Sequence, residues 1–386
     1  MNTFKKSLSK ATCLIAALGF VASASAEVKL SGFASFVGGK FSEDSYSYLE
    51  YDNDFSFSPD TVLGIQLGAD LADDIKVTAQ LISKGLNDYD VEVELAYLTY
   101  SVNPFWDVRV GRLRTPLFYY SDFLDVGYAY PWIRPPSVTY RVDAASFDGM
   151  DMLYRTRLGG WDSTFQLVYG ADEEENVESN GLYGLTMTFN RDWLTFRLGY
   201  ISSEVTVFSE ELVPIFDGIR AAGFGDVADD FDPGQPRRSR YLAAAMIVDY
   251  NDWLVNMEYT QVGWDKSSIF LHDSAWFAMV GRRFGDYTVH LTYSTQEDDP
   301  DFEDNTIPLS GVPAGIATLG NVLNAIISNE QQDSLTLGVR YDVAGGVALK
   351  AEVTRYSLDI AEPLFPGQQS NVDDGTLFNI GLDIVF

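Results

Sequence analysis

Apolar and polar side chains alternate along most of this chain, in segments of about ten residues. In residues 335–341, for example, Leu335, Leu337, Val339 and Tyr341 occupy every second position. A period of two is typical of β-strands, because successive side chains point to opposite faces of a sheet. The pattern predicts sixteen strands at 27–41, 60–71, 74–84, 90–101, 105–114, 146–158, 161–171, 180–190, 193–203, 240–250, 253–263, 273–284, 286–297, 332–343, 346–358 and 376–386. It requires no helix outside the loops.

Short and long connections alternate between the predicted strands. The short ones are two- or three-residue turn sequences, such as Gly159-Gly160, Asn251-Asp252 and Gly345-Gly346. The long ones cover residues 42–59, 114–145, 171–180, 204–239, 264–272, 298–331 and 359–375. An even number of strands with this alternation predicts an antiparallel β-barrel whose two chain ends lie at the short-turn end. Outer-membrane barrels have this layout, with short periplasmic turns and long extracellular loops.

The distribution of apolar residues also favours a membrane barrel. No run of 18 apolar residues is present, so the sequence predicts no transmembrane helix. A closed barrel is the other structure that can span a bilayer, since its backbone groups bond to one another. Five aromatic residues each follow a short turn and would form a girdle at one membrane interface: Trp106, Trp161, Trp193, Trp253 and Tyr287. The alternative is a soluble β-sandwich with aromatic residues beside its turns.

The N-terminal residues 1–26 are typical of a secretory signal peptide. Three lysines precede a short apolar stretch and a small-residue cleavage site: Lys5, Lys6 and Lys10, then 13–21, then Ala24-Ser25-Ala26. We therefore expect one mature domain at 27–386. The chain has one cysteine, Cys13, and it falls in the signal peptide, so the mature domain is expected to have no disulfide and no thiolate metal site.

The predicted last strand has apolar residues at every second position and ends on Phe386. An amphipathic strand that ends the chain on an aromatic residue resembles the terminal insertion signal of bacterial outer-membrane barrels. The resemblance implies that Phe386 belongs to such a signal, and that the barrel-assembly machinery is a partner during insertion. The alternative is an ordinary edge strand that happens to end on phenylalanine.

The chain is strongly acidic. It has 26 Lys and Arg against 56 Asp and Glu, a net charge of −30, which becomes −33 without the three lysines of the signal peptide. This charge argues against a nucleic-acid partner, whose phosphates would be repelled. Acid-rich stretches fall in predicted loops at 172–175, 229–232 and 297–304. Solvation is their simplest role, and divalent-cation bridging to lipopolysaccharide is the alternative. None has the spacing of an EF-hand, so the sequence predicts neither a metal site nor a cofactor.

The alternation also assigns residues to the two faces of the barrel. Thr288, His290 and Thr292 share one face of their strand, and such a polar inner face predicts a water-filled lumen, for which sixteen strands leave room. A Lys or Arg that faces lipid at mid-depth costs about 2–4 kcal/mol, so charged strand residues are assigned to the lumen. The predicted lumen lining is Lys76, Glu92, Glu94, Arg197, Glu258, Arg340 and Lys350.

The connection at 113–145 is the most distinctive of the predicted loops. It carries eight aromatic residues: Phe118, Tyr119, Tyr120, Phe123, Tyr128, Tyr130, Trp132 and Tyr140. So many rings need burial, because large apolar surfaces are unfavourable in water. The barrel interior is the wall available to them, so we expect this loop to fold inward.

A short motif precedes this loop. Residues Val110 to Pro116 read Val-Gly-Arg-Leu-Arg-Thr-Pro and resemble the Gly-Arg-x-x-Thr-Pro segment of the general diffusion porins of Gram-negative bacteria. The resemblance implies a trimer of sixteen-stranded outer-membrane barrels, in contact with lipid and lipopolysaccharide, whose third loop narrows a pore for small hydrophilic solutes and ions. Small residues on the first strand would let another barrel approach closely: Gly32, Ala34, Gly38 and Gly39.

The resemblance also implies a constriction in which arginines on the wall face aspartates on the loop. The matching residues are Arg109, Arg112, Arg114, Arg155 and Arg157 on the wall, and Asp122, Asp125 and Asp143 on the loop. Rings of charge are one means by which pores choose between ions. The net charge predicts a weak cation preference that these arginines limit, so neutral residues at Arg155 and Arg157 should raise it and widen the path.

Three alternatives to general diffusion stay open. The Pro-Glu-Phe-Gly-Gly loop motif of enteric porins is absent, which leaves a channel selective for sugars or small carboxylates. A loop-mediated adhesin or receptor barrel is the second. An enzyme is the third, but its candidates are few: His272 lies in a loop, His290 faces inward, and no Gly-x-Ser-x-Gly motif occurs. We predict no catalytic residue.

Overall fold

The alternating segments form sixteen β-strands in the computed structural model, which describes residues 28–43, 47–142, 146–174, 176–210, 212–265, 272–298, 315, 317–318, 330–360 and 374–386. The strands are β1 Val28–Phe41, β2 Val62–Ala72, β3 Ile75–Lys84, β4 Val91–Asn103, β5 Trp106–Arg114, β6 Ser146–Leu158, β7 Trp161–Glu173, β8 Val177–Arg191, β9 Leu194–Val207, β10 Arg237–Tyr250, β11 Trp253–Trp264, β12 Asp273–Phe284, β13 Tyr287–Asp298, β14 Glu330–Ala344, β15 Val347–Ile360 and β16 Gly375–Val385. Each predicted segment corresponds to one strand. The predicted signal peptide lies outside the described residues.

Each strand pairs antiparallel with its neighbours in sequence, and β1 pairs with β16, so the sheet closes into a barrel. The closure includes the last residue: the Gly32 amide donates to the Phe386 carbonyl at 2.8 Å, and the Phe386 amide donates to the Gly32 carbonyl at 3.0 Å. A closed ladder satisfies the strand backbone without water, as a membrane requires. The predicted all-β barrel of sixteen strands is confirmed.

Burial alternates along the strands as the sequence predicts. On β14, Leu335 and Leu337 are exposed on the outer face, whereas Ser334 and Gly338 are buried on the inner face. On β13 the inner-face residues Thr288, His290 and Thr292 are buried, although they are polar. Something other than water therefore covers this part of the inner wall.

Among the described residues, helical structure is confined to connections. The long connection between β9 and β10 holds α1 (Val213–Ala221) and α2 (Gly225–Phe231). Three single turns of 3₁₀ helix occur at Gly85–Asn87, Ser121–Phe123 and Gly127–Ala129. No helix among the described residues is long and apolar enough to cross a membrane.

The aromatic residues that follow the short turns gather at one rim of the barrel. Trp106 stacks on Tyr154 at 4.4 Å between ring centroids, and Tyr287 stacks on Tyr341 at 4.6 Å. The guanidinium of Arg282 lies 5.0 Å from the ring centroid of Trp253. Trp161 and Trp193 occupy the equivalent places beside the start of β7 and β9. Such a belt suits the interface, where one part of each ring meets lipid and another meets water.

The small residues on the outer face of β1 are covered by aromatic rings of the same chain. A Cβ atom at Gly32 would lie 2.5 Å from the ring of Phe386, and one at Gly38 would lie 2.5 Å from Phe55 and 2.8 Å from Phe57. These glycines therefore make room for the chain's own rings. Gly39 has the opposite parity and lies beside Asn379 and Tyr51. The stripe of small residues does not by itself offer a bare surface to another barrel.

The first prediction concerns Gly111, which has a φ of +135°. An alanine Cβ there would lie 2.2 Å from the Ala96 carbonyl oxygen and would strain the backbone. We expect Gly111→Ala to lower the yield of folded barrel severely, whereas Gly68→Ala, whose nearest neighbour lies 4.0 Å away, folds as the parent does. Heat-dependent gel migration and urea unfolding midpoints measure both. Equal midpoints for the two variants would contradict the strained geometry at Gly111.

Candidate functional site

The connection between β5 and β6 folds into the barrel, and its first residues anchor it. Leu117 and Phe118 join Leu113, at the end of β5, in an apolar cluster with inner-face residues of β6 to β10: Phe147, Val168, Leu182, Ile201, Tyr241 and Ala243. The guanidinium of Arg197 on β9 donates to the Pro116 carbonyl at 3.0 Å. Burial of this apolar start directs the chain across the lumen.

The middle of this loop is an aromatic cluster against β12. Tyr120, Tyr130 and Trp132 are each at most 5% exposed and pack with Phe277 and Met279. Trp132 lies edge-on to Phe277 with ring centroids 5.5 Å apart and to Tyr120 at 5.6 Å. Edge-to-face pairs are favourable because the positive edge of one ring meets the negative face of the other. The predicted burial of the aromatic loop is thus achieved inside the barrel.

Polar groups on β11 hold the first part of the loop. The Glu258 carboxylate accepts the Tyr119 amide at 2.8 Å and also the Tyr140 hydroxyl. Asn256 donates its side-chain amide to the Tyr120 hydroxyl at 2.6 Å. A buried carboxylate is costly without partners, so these bonds make the loop part of the wall's own structure.

Residues of β14 to β16 hold the second part. Lys350 donates to the Gly127 carbonyl at 2.7 Å and to the Trp132 carbonyl, and lies 2.8 Å from Asp383. The Glu352 carboxylate accepts the Ile133 amide at 2.9 Å. The loop has no room beside this wall, since a Cβ at Gly127 would lie 2.4 Å from Asp383.

Arg340 on β14 makes a further tether. It donates to the carbonyls of Tyr128 at 2.7 Å and Tyr130 at 2.9 Å, while Asp342 accepts from its other nitrogens. On β13, Thr292 accepts the indole N–H of Trp132 at 2.8 Å. These contacts cover the inner faces of β13 to β16, which explains why so many polar residues there are buried.

A buried cluster of four charges fixes the loop on the other side of the barrel. Arg114 lies 2.6 Å from Glu94 and 2.9 Å from Asp125, and Lys84 lies 3.0 Å from Asp125. Burial alone would raise the pKa of the Asp125 carboxyl, but Lys84 and Arg114 outweigh it and hold that pKa below its usual range. Two cations and two anions balance, so the cluster presents no net charge to the lumen.

Further charges lie on the inner faces of β5 and β6. The Arg109 guanidinium donates to Asp151 at 2.8 Å, and Gln166 donates to the same carboxylate at 2.7 Å. Asp122, which is exposed on the loop, interacts electrostatically with Arg109. Asp151 was not among the predicted residues, although it has the inward parity of Arg155 and pairs in register with Arg109.

The first long connection also takes part, which the sequence did not indicate. Arg134 of the inward loop lies 2.5 Å from Asp60, and Asp60 accepts the Tyr51 hydroxyl at 2.7 Å. Tyr51 is fully buried with Phe41, Val138, Tyr356 and Leu377. Residues of the connection before β2 therefore also contact the inward loop.

Comparison with known proteins agrees with this architecture. A model of the Gram-negative porin family matches residues 11–361. The chain belongs to this family. It is therefore an outer-membrane pore protein, and the predicted family and location are confirmed.

Solved structures share the barrel with this porin at low identity. OmpT of Vibrio cholerae in its trimer form is 14% identical over 94% of this chain and 99% of that one, with a TM-score of 0.60. The anion-selective porin of Comamonas acidovorans is 14% identical, covers 94% and 100%, and has a TM-score of 0.58. OmpF of Salmonella typhi in complex with daunomycin is 13% identical, covers 93% and 97%, and has a TM-score of 0.55. At such identities the likeness concerns the fold. No curated protein matches the chain.

Three of the arginines assigned to the constriction lie elsewhere in this porin. Arg112 is in register with Asp148, 3.5 Å away, on the outer face that also carries the exposed Val110 and Met150. Its two-residue spacing from Val110 places it on that outer face.

Arg155 and Arg157 have the predicted inward parity but lie at the short-turn rim. Arg155 pairs with Asp107 at 2.6 Å, and Arg157 pairs with Asp162 at 2.8 Å with its side chain 70% exposed. Both are far along β6 from the loop that begins beyond β5. Parity fixes the face of a strand residue but not its depth, and this is why the sequence could not place these two arginines relative to the loop.

The remaining predicted residues divide by location. Arg109, Arg114, Asp122 and Asp125 lie at the loop or beside it, whereas Asp143 lies outside the described residues. Glu94, Arg197, Glu258, Arg340 and Lys350 face the interior and contact the loop or the charged cluster. Glu92 accepts from Asn87 at the long-loop end. Lys76 lies at the short-turn rim, 3.9 Å from Asp70.

The second prediction tests the Lys350 tether. Lys350→Met removes two donations to the loop and leaves Asp383 without its cation, and breaking such a buried pair costs about 3–5 kcal/mol. We expect a lower unfolding midpoint and noisier single-channel currents. The double variant Lys350→Met with Asp383→Asn should recover part of the midpoint, because the unpaired charge is gone. Lys76→Met, at the exposed rim, is the control, and an equal loss there would refute the tether.

The third prediction concerns pH. Since the folded-state pKa of Asp125 is lowered, its carboxylate contributes stability that is fully present above the ordinary carboxyl pKa of about 3.9. This contribution falls as the pH drops through the lower folded-state value. The difference in free energy of unfolding between the parent and Asp125→Asn should therefore be large at pH 7 and shrink below about pH 4. A difference that does not change with pH would rule out this role.

Proposed function

We propose that this porin lets ions and small hydrophilic solutes diffuse passively across the outer membrane, past a constriction formed by the inward loop. The observation that carries the proposal is the loop itself, which polar and aromatic contacts fix across the lumen of a sixteen-stranded barrel. A loop held in this way narrows the passage at a fixed place. Solutes that lack charge or carry little would pass according to size.

Asp122 and Arg109 form the charged part of the constriction in this proposal. The other described charges beside the loop include buried pairs, such as Asp125 with Lys84 and Arg114. Arg109 is partly offset by Asp151. Asp122 is exposed and interacts with Arg109, and because Arg109 is already paired with Asp151 the three charges together are net negative, so the local field favours cations weakly.

The outer surface supports a proposal for the oligomeric state of the porin and for the molecules that surround it. The apolar outer face contacts lipid, and the aromatic belt sits at the interface of the inner leaflet. The solved OmpT of Vibrio cholerae has a trimer form, which supports a homotrimer here. Lipopolysaccharide would surround the long-loop end. Phe386, which pairs with β1 and is 72% exposed, would be part of the signal that the assembly machinery recognises during insertion.

The fourth prediction is tested by conductance in planar bilayers. We expect open channels with a weak cation preference at low salt that fades as salt rises, because the Debye length is about 8 Å at physiological salt and screens the acidic loops. Absence of ion current would refute the proposed pore.

Variants at the loop and at the short-turn rim distinguish which charges set the ion selectivity. Asp122→Asn should lower the cation-to-anion permeability ratio, because one charge 4 Å away is worth about 1 kcal/mol in water and so changes the permeability of each ion by up to about fivefold, in opposite directions. The double replacement of Arg155 and Arg157 by Gln changes only the rim and should alter the reversal potential less. If the rim variant has the larger effect, the selective charges lie at the short-turn mouth and not at the loop.

A further inference from the structure

A cavity of about 370 Å³ lies in the lumen on the short-turn side of the inward loop. The loop forms one wall and the ends of β10 to β14 form the other. No part of the tethering described above needs this space. Its two walls differ in chemistry, and the difference indicates what it would hold.

The loop wall is aromatic. Tyr119, Phe123 and Tyr128 line it and are each half-buried, so part of each ring faces the cavity. Tyr120 packs edge-on to Tyr119 at 4.9 Å and to Phe123 at 5.5 Å, which fixes two of the rings. The third ring, Tyr128, lies 4.6 Å from the guanidinium carbon of Arg340, which also bonds its carbonyl. The rings therefore form an aromatic platform, and each of them contacts a neighbouring side chain.

The barrel wall is mainly polar, with Ile247 and Leu254 as its apolar residues, and its charges are balanced. Arg283 donates to both carboxylate oxygens of Asp249, at 2.6 and 2.7 Å. Arg340 donates twice to one oxygen of Asp342, at 2.9 and 2.8 Å. Asp249, Arg283 and Asp342 keep side-chain exposures of 53%, 39% and 41%. Their remaining lone pairs and N–H groups can therefore reach a ligand.

We propose that this cavity is a binding subsite for a neutral saccharide of one or two rings. This rests on the proposed function, because the sugar would enter through the pore. A sugar ring has one face of C–H bonds, which suits the aromatic platform, and an edge of hydroxyls, which both donate and accept as the paired Asp and Arg require.

Charge decides against the other ligand classes. A carboxylate ligand could accept the remaining N–H groups of Arg283, but it would then lie close to the carboxylates of Asp249 and Asp342, which would repel it. An organic cation would meet a balanced wall, and it would be repelled by the Arg340 guanidinium, which lies on one face of the Tyr128 ring. A sugar hydroxyl can hydrogen-bond to a paired Asp and Arg while their ion pair stays intact. The volume lies at the lower end of the range for small-molecule pockets, which fits a mono- or disaccharide.

The test is the ion current of the full porin in planar bilayers titrated with maltose. We expect a saturable fall in current beyond that caused by viscosity. Tyr128→Leu should raise the half-saturation concentration of maltose about tenfold or more, whereas Tyr128→Phe should leave it unchanged. Phe123→Leu should also weaken it, which covers the case in which Tyr128→Leu does not fold. The matched control is Tyr169→Leu, because Tyr169 is 63% exposed on the outer face of β7.

The possible outcomes separate the two proposals. If ions pass but maltose lowers the current only in proportion to viscosity, the subsite is refuted and the pore stands. If glutamate saturates the channel and maltose does not, the ligand class is wrong. If no ion current is seen, the proposed pore fails, and calorimetric titration of the detergent-solubilised protein with maltose still decides the subsite. No heat of binding would then refute it.

Discussion

Backbone hydrogen bonding in a bilayer is the constraint on which the rest of this structure depends. A strand that crosses lipid must pair on both edges, so the chain closes on itself through β1 and β16. Closure fixes which residues face lipid and which face the interior, and it fixes the parity of short turns and long loops. It also creates an interior wide enough to need filling or wetting. The inward loop, the polar wall behind it and the rim charges are all consequences of that enclosed space.

The loop fills one side of the interior. The charged residues buried there are retained, and each is paired with an opposite charge or with hydrogen-bond donors. Lys350 with Asp383, Arg114 with Glu94 and Asp125, and Glu258 with two donors of the loop are buried groups that each have a partner. A buried charge without a partner is very costly, so these groups tolerate few positions of the loop. Such networks stabilise one arrangement of the loop over others of similar compactness. Aromatic rings supply the apolar contact area that the polar wall lacks.

The strands could be predicted because their pattern is local: a period of two within about ten residues needs no knowledge of distant parts of the chain. The inward fold of the loop could be predicted because eight aromatic residues need burial. The depth of a side chain along its strand and the identity of its interaction partners could not be predicted in this way. Arg155 and Arg157 face inward as predicted, yet they lie at the rim. Arg112 was assigned to the pore from the porin motif, although its two-residue spacing from the outward-facing Val110 already argued against it. Asp151, the partner of Arg109, needed the register of β5 on β6.

The high net charge of the chain is therefore a poor guide to the chemistry of its passage. Most of the charges that face the interior beside the loop are cancelled within a few ångströms by an opposite charge. Cancelled pairs act as dipoles, whose fields decline faster with distance than the field of a single charge. A solute near the loop then meets alternating donors, acceptors and ring faces. In the proposed function, such a surface would discriminate by hydrogen bonding and shape more than by the sign of the charge, since hydroxyl groups can add to a paired Asp and Arg.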